Sequence, residues 1–134
     1  MGRIMAIDYG GKRTGIAVTD PMQIIATGLT TIPSHTLVDF LKNYFITEQV
    51  ELILIGLTSN WDDTATHGTK PAQDAFNRLK KVFPGITIKQ VDERYTSKMA
   101  KNAMIEMGMK KKDRQQKENL DLIAATIILQ EYLQ

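Results

Sequence analysis

Three carboxylates stand where an apolar run meets a turn or a helix. Asp8 ends the run IMAI, Glu93 follows ITIKQVD, and Asp121 precedes LIAATIIL. If the elements that carry them pack side by side, the three acids converge on one spot. At about 5 Å and an effective dielectric of about 20, each like-charged pair repels by roughly 3 kcal/mol, so such a cluster needs a cation. Oxygen ligands favour Mg²⁺ or Mn²⁺, and this layout is typical of a metal-dependent nuclease.

Composition limits the alternatives. The chain has no Cys and only two separated histidines, His35 and His67, so any metal should sit on oxygen. Its 134 residues, 43% of them hydrophobic and 24% charged, predict one globular domain over residues 1–134. No apolar stretch approaches the roughly 20 residues of a membrane span, and no signal peptide precedes the first strand pattern. A cytoplasmic protein without membrane contact is expected.

The hydrophobic pattern predicts an α/β fold with a mixed five-stranded sheet, a three-stranded meander followed by parallel strands, flanked by helices. The predicted strands cover residues 3–8, 14–19, 28–32, 51–55 and 86–91. The predicted helices run from Ser34 or His35 to about Glu48, over 72–83, over 96–107, and from Lys117 or Glu118 onward. Strands one, four and five should be parallel and central, because they resemble buried strands joined by crossover helices. Their C-terminal ends would then share one rim, where open α/β sheets commonly place ligands.

Each acid also has a plain structural explanation. Asp8 could be a turn residue that closes a hairpin, as we expect of Asp20 before Pro21. Alternation along the strand sends Asp92 and Glu93 to opposite faces, and we favour Glu93 as the partner of Asp8. A surface salt-bridge cluster would explain Glu93 equally well. Asp121 lies in the first turn of the last helix, where the helix macrodipole alone would favour an acid.

Candidate substrate contacts surround the acids. Arg94 could bind a phosphate in a bidentate manner, and Asn60 lies in a polar loop on the same predicted rim, next to Trp61, which could stack on a base. A basic run precedes Asp121 and could neutralise phosphates beside an acidic site, although charge alone favours a solvated loop. Its members are Lys110, Lys111, Lys112, Arg114 and Lys117. His35 is expected to cap a helix and His67 to lie in a loop.

Taken together, these residues resemble the YqgF (RuvX) family, RNase H-like proteins described as Holliday-junction resolvases and as pre-16S ribosomal RNA nucleases. Four blocks carry the resemblance over almost the whole chain: IMAIDYGGKRTGIAVTD, LILIGL, VDERYTSKMA and DLIAATIILQEYL. By position, Asp8, Glu93 and Asp121 match the family's metal-binding acids, and Lys12 and Arg13 match its basic turn. The chain departs from the family in the loop after strand four, with Thr58 in place of a proline and Asp62-Asp63 in place of Asp-Gly.

The resemblance implies an RNase H-like fold and phosphodiester hydrolysis with one or two Mg²⁺ or Mn²⁺ ions held by the three acids. The implied reaction is processing of the 5′ end of pre-16S ribosomal RNA in ribosome biogenesis, on precursor particles, by a monomer or weak homodimer. Cleavage of four-way DNA junctions and a non-catalytic nucleic-acid-binding role are the alternatives. An ATP-binding role, suggested by the likeness of DYGG to the phosphate loop of sugar kinases, is disfavoured because the chain is too short for the duplicated fold.

Overall fold

The computed structural model describes residues 2–57, 69–92 and 117–134, and these form a five-stranded mixed sheet with helices on both faces. The strands are β1 (Arg3–Tyr9), β2 (Arg13–Thr19), β3 (Ala26–Pro33), β4 (Val50–Leu57) and β5 (Thr87–Asp92). The helices are α1 (Leu37–Thr47), preceded by a 3₁₀ turn at Ser34–Thr36, then α2 (Thr69–Val82) and α3 (Lys117–Leu133). No helix in these ranges is long and apolar enough to cross a membrane.

The strand order is β3-β2-β1-β4-β5. The first three strands form an antiparallel meander, because their connections are short enough for hairpins. β4 returns beside β1 in parallel, and β5 follows in parallel with β4. β1 is therefore the central strand, and its C-terminal end shares a rim with those of β4 and β5.

Alternation along β1 divides the core into two layers. Met5 and Ile7 face α1 and α2 and pack with Leu41 and Leu79; we call this side of the sheet the α1/α2 face. The other side, which carries Ile4 and the residues in register with it, is covered by α3, and we call it the α3 face. Both layers are closed, because β1 and β4 have fully buried side chains in each of them.

Small residues let α3 lie close to the sheet. Ala6, Ala17 and Ala125 are fully buried in one cluster where the helix meets β1 and β2. At β3 a Cβ on Gly28 would lie 3.0 Å from Cγ of Leu122, so the helix packs directly against the strand backbone there. The buried alanines, together with this glycine, place α3 across the meander.

Most predicted elements are confirmed within a few residues. Two features differ. β5 forms an edge of the sheet instead of a central strand, because no further described strand pairs with its outer side. The helix expected from residue 34 begins as a 3₁₀ turn, and its α-helical part starts at Leu37. The helix predicted over 96–107 lies outside the described residues.

Candidate active site

Asp8 is the penultimate residue of β1, at the rim of the sheet. In the register it lies between Gly15 of β2 and Gly56 of β4, neither of which has a side chain beyond hydrogen. Ile4 and Ala6 precede it on the α3 face, so alternation places Asp8 on that face too. Its side chain is half-buried. An acid here interrupts a buried strand at a point where its neighbours leave space.

Glu93 lies outside the described residues, so the preference for Glu93 over Asp92 stays a prediction. In the strand that precedes it, Val91 lies opposite Gly56, which in turn lies opposite Asp8, so the three form one row across the sheet. Val91 packs against the core layer under α3, whereas Ile88 belongs to the layer under α1 and α2. β5 therefore reaches the rim with Val91 on the same face as Asp8.

Asp121 lies in α3, as its fifth residue, which is the start of the second helical turn instead of the first. The expectation that small neighbours bring it close to the sheet is supported by the burial of Ala124 and Ala125. Asp121 precedes Ala125 by one turn, and Asp8 follows Ala6 by two residues. The packed Ala6–Ala125 region therefore anchors the backbone segments that carry both acids.

The turn after Asp8 carries Lys12 and Arg13 and is closed by the backbone. Gly10 N–H donates to the Arg13 carbonyl at 3.0 Å. A Cβ at position 10 would lie 2.5 Å from that same oxygen, so only glycine fits, whereas a Cβ on Gly11 would meet nothing within 4 Å. The two glycines thus differ: the first permits the turn, and the second lies in open space.

Ser34 stabilises this turn through two hydrogen bonds to its backbone. Its N–H donates to the Lys12 carbonyl at 2.9 Å, and its hydroxyl donates to the Gly10 carbonyl at 2.6 Å. Because the Ser34 proton is used there, the hydroxyl of Thr14 donates to Ser34 Oγ at 2.8 Å. Thr14 and Ser34 are both buried, so these bonds exclude water. The result is a fixed platform for the two basic residues beside Asp8.

Sequence reasoning missed Thr14 and the role of Ser34. The sequence pattern predicts that a helix starts at residue 34 or 35. The structure forms no side-chain cap in the 3₁₀ turn or in α1, and the Ser34 hydroxyl donates to the Gly10 carbonyl of the preceding turn instead. His35, expected as a cap, makes none. The signal that existed was a polar Thr14 within the otherwise small and apolar run of β2.

The basic residues divide between the described and undescribed parts of the chain. Lys12 is exposed in the turn, and Arg13 is half-buried at the start of β2. The remaining candidate substrate contacts lie outside the described residues: Asn60, Arg94, Lys111, Lys112 and Arg114. The described residues therefore support a basic turn beside Asp8 but not the wider phosphate path.

Asp20 has the structural role that the sequence predicted. Its carboxylate accepts backbone N–H bonds from Ile24 and Ile25, both at 2.8 Å, and from Met22 at 3.1 Å. These amides, Ile25 first, hold the pKa of the Asp20 carboxyl below its ordinary value of 3.8. Asp20 closes the β2–β3 turn.

Among the described residues, the carboxylate of Asp8 is a suitable ligand for a hard divalent cation. Asp8 supplies carboxylate oxygens, the ligand type that such an ion prefers, at a rim where its cross-strand neighbours Gly15 and Gly56 carry no side chain that could compete for the position. No group of three or more His, Asp or Glu side chains lies within metal-binding reach among residues 2–57, 69–92 and 117–134. A full ligand set would need Glu93, outside these ranges, and Asp121.

Comparisons with known proteins agree with this architecture. A family model described as "RuvX: Holliday junction resolvase" matches residues 2–134. A Bacteroides fragilis protein named "Putative pre-16S rRNA nuclease" is 53% identical over 134 residues, covering 100% of this chain and 97% of its own. A Flavobacterium johnsoniae protein of the same name is 52% identical over 133 residues, covering 99% of this chain and 96% of its own.

Among solved structures, T. thermophilus RuvC in complex with a Holliday junction substrate is similar with a TM-score of 0.55. The sequences are 13% identical, and the match covers 99% of this chain and 96% of RuvC. At that identity the likeness concerns the fold alone, and it confirms the RNase H-like fold expected from the sequence.

Proposed function

Because the chain belongs to the RuvX family, we propose that it is a metal-dependent nuclease that hydrolyses phosphodiester bonds, with residues 1–134 as one nuclease domain. The observation that carries the proposal is the position of Asp8. It lies on the central strand, at the rim, between two glycines and beside a rigid basic turn. Open α/β sheets commonly bind ligands at this rim, and a carboxylate there can serve as a ligand for a divalent metal.

Asp8, Glu93 and Asp121 would hold one or two Mg²⁺ or Mn²⁺ ions. When bound, such an ion polarises the phosphate and lowers the pKa of attacking water. The chain's own residues then have separate tasks. Lys12 and Arg13 bind phosphate oxygens, and the Ser34 hydrogen bonds keep their turn from moving as the polyanion arrives.

The substrate we favour is the 5′ leader of pre-16S ribosomal RNA. The support is the shared name of relatives that are more than half identical over the full length. The protein would then act in the cytoplasm, on ribosomal precursor particles, as a monomer or weak homodimer. Asn60, Arg94, Lys111, Lys112 and Arg114 would extend the phosphate contacts beyond the basic turn.

The second candidate is resolution of four-way DNA junctions, which the description of the matching family model favours. Symmetric cleavage of a junction needs two active sites in fixed relation, so this function requires a dimer. A non-catalytic RNA-binding role is the third candidate. It would use the same rim without any need for a metal at Asp8.

The test is cleavage of an end-labelled pre-16S 5′ leader and of a four-way DNA junction, with Mg²⁺, with Mn²⁺ and with a chelator. Wild type is compared with Asp8→Asn and with Asp39→Asn, which removes an exposed carboxylate on α1 and is a matched control. We expect metal-dependent cutting of the RNA by wild type and Asp39→Asn, and none by Asp8→Asn.

The other outcomes separate the candidates. Cutting of the junction alone would select resolution, and its dependence on protein concentration would show whether a dimer is needed. Binding of RNA without cutting under any metal condition would select the non-catalytic role. Equal cutting by Asp8→Asn would refute the assignment of Asp8.

A further inference from the structure

A cleft of about 310 Å³ lies on the α1/α2 face, next to the rim that carries Asp8. Tyr9 lines it, together with the buried apolar side chains of Leu37 and Leu79. Its volume is at the lower end of the range for small-ligand pockets, about 300 Å³ and above. The cleft therefore suits a compact group and not an extended peptide.

Three ionisable side chains border the same cleft. Asp74 and Arg78 come from α2, and His35 comes from the 3₁₀ turn before α1. All three are exposed. Asp74 and Arg78 are four residues apart on the helix, a spacing that commonly gives an ion pair. In the described part of the chain, however, Asp74 and Arg78 form no ion pair within 4.0 Å, so each charged group is available to a ligand in the cleft.

The cleft and the candidate active site meet at the β1–β2 turn. Tyr9 follows Asp8 directly, and successive side chains of a strand point to opposite faces, with their Cα atoms about 3.8 Å apart. Ser34, which locks the basic turn through the Gly10 carbonyl, also lines the cleft. A nucleic-acid strand that crosses the rim at Asp8 would bring an adjacent base over Tyr9.

We propose that this cleft binds one unpaired nucleobase of the substrate strand, an inference that rests on the nuclease function proposed above. The flat ring of Tyr9 would stack on the base. The Asp74 carboxylate would accept a base N–H, and Arg78 or His35 would donate to a ring nitrogen or carbonyl oxygen. The Asp74 carboxylate argues against a phosphate as the occupant, because the two anions would repel each other.

The test is an abasic scan of a short single-stranded RNA, with binding measured in the Asp8→Asn background so that the strand stays intact. A single abasic position should weaken binding by about tenfold, as expected for the loss of one base stacked on an aromatic ring. Abasic nucleotides elsewhere should change the affinity little. The same scan is repeated with Tyr9→Leu, Tyr9→Phe and Arg78→Ala.

The variants show whether the sensitive position belongs to the cleft. Tyr9→Leu and Arg78→Ala should bind the intact RNA more weakly and lose the effect of the abasic position, whereas Tyr9→Phe should keep it. Lys81→Ala is the matched control, since it removes one exposed positive charge from the same helix but does not line the cleft. It should retain the wild-type scan.

Each result bears on the proposal. A flat scan in a protein that cuts RNA in an Asp8-dependent manner would overturn the cleft assignment and leave the nuclease function intact. A sensitive position that persists in both Tyr9→Leu and Arg78→Ala would overturn it as well. Competition with free nucleoside monophosphates adds a second readout. If they displace the RNA only from proteins with an intact cleft, the result would support base binding. If they bind but the abasic scan is flat, the cleft would be assigned to free nucleotides instead of to the substrate strand. Absence of any RNA binding by wild type would overturn the cleft assignment and the RNA substrate, whereas the nuclease function would fall only if the four-way DNA junction were not cut either.

Discussion

Asp8 and Asp20 stand at the ends of successive strands in the meander, Asp8 before Tyr9-Gly10-Gly11 and Asp20 before Pro21, and different groups close the two turns that follow. The Asp20 carboxylate stabilises the turn that follows, because it accepts three hydrogen bonds from backbone N–H groups of that turn. The turn after Asp8 is closed by the Gly10 N–H bond to the Arg13 carbonyl and by the hydroxyl of Ser34.

The comparison indicates which acids at strand ends are candidates for binding a ligand or a metal ion. Where the carboxylate satisfies the backbone donors of its own turn, it is needed for folding. Where other groups also close the turn, as they do after Asp8, the acid is the stronger candidate for ligand binding. Ser34 thus has an indirect effect on the site, because its bonds to the Lys12 and Gly10 carbonyls hold the turn that follows Asp8.

The largest expected effect separates the two acids by function. Asp8→Asn should lower metal-dependent cutting by about a hundredfold or more, because a lost metal ligand costs several kcal/mol of transition-state stabilisation. Asp20→Asn should cut as wild type does. In thermal unfolding, Mg²⁺ should raise the Tm of wild type and of Asp20→Asn but not that of Asp8→Asn. An Mg²⁺ shift that persists in Asp8→Asn would refute its role as a ligand.

In the turn after Asp8, replacement of Gly10 should destabilise the protein, whereas replacement of Gly11 should not. Gly10→Ala should destabilise the protein by about 1–3 kcal/mol, because the new Cβ overlaps the Arg13 carbonyl and the backbone must shift. Gly11→Ala is the control and should stay within about 0.5 kcal/mol of wild type, as expected for an open surface position. Urea unfolding measures both. Equal losses of stability in Gly10→Ala and Gly11→Ala would show that the contact with the Arg13 carbonyl is not the reason why glycine is needed in the turn.

Removal of the Ser34 hydroxyl should have a somewhat smaller effect. Ser34→Ala leaves the partly buried Gly10 carbonyl and the buried Thr14 hydroxyl without their partner, at a cost of about 1–2 kcal/mol. Thr36→Val removes a hydroxyl from an exposed bond to the Pro33 carbonyl and should cost less. If Ser34 also positions the basic turn, Ser34→Ala should raise KM for RNA at temperatures where the protein is fully folded, whereas Thr36→Val should not.

The smallest effect concerns pH and the Asp20 turn. The pKa of Asp20 is lowered in the folded state, so its charged form stabilises the fold above the ordinary value of 3.8, and this contribution is lost as pH falls through the lower, folded pKa. Asp20→Asn should therefore have a lower Tm than wild type near neutral pH, and the gap should shrink below pH 3.8. A gap that is independent of pH would show that the carboxylate charge contributes nothing.

Much of the architecture could be predicted, because local chemistry fixes it. The mostly apolar run from Arg3 to Asp8 and the continuous apolar run in ELILI predicted strands that the structure confirms. The apolar spacing near the end of the chain predicted the last helix, and the turn role of Asp20 followed from its position before Pro21. The edge position of β5 could not be predicted, since strand order depends on pairing between distant segments and not on the composition of any one strand.

The sequence by itself determined the acids, the turn glycines, the strand periodicity and the family, because each depends on residue types at fixed spacing. Only the tertiary structure decided that Asp8 lies between Gly15 and Gly56, and that Ser34 closes a turn 24 residues away. It also decided that Tyr9 opens onto a cleft on the opposite face. These features depend on which segments meet across the sheet, and long-range contacts of that kind leave no local pattern in the sequence.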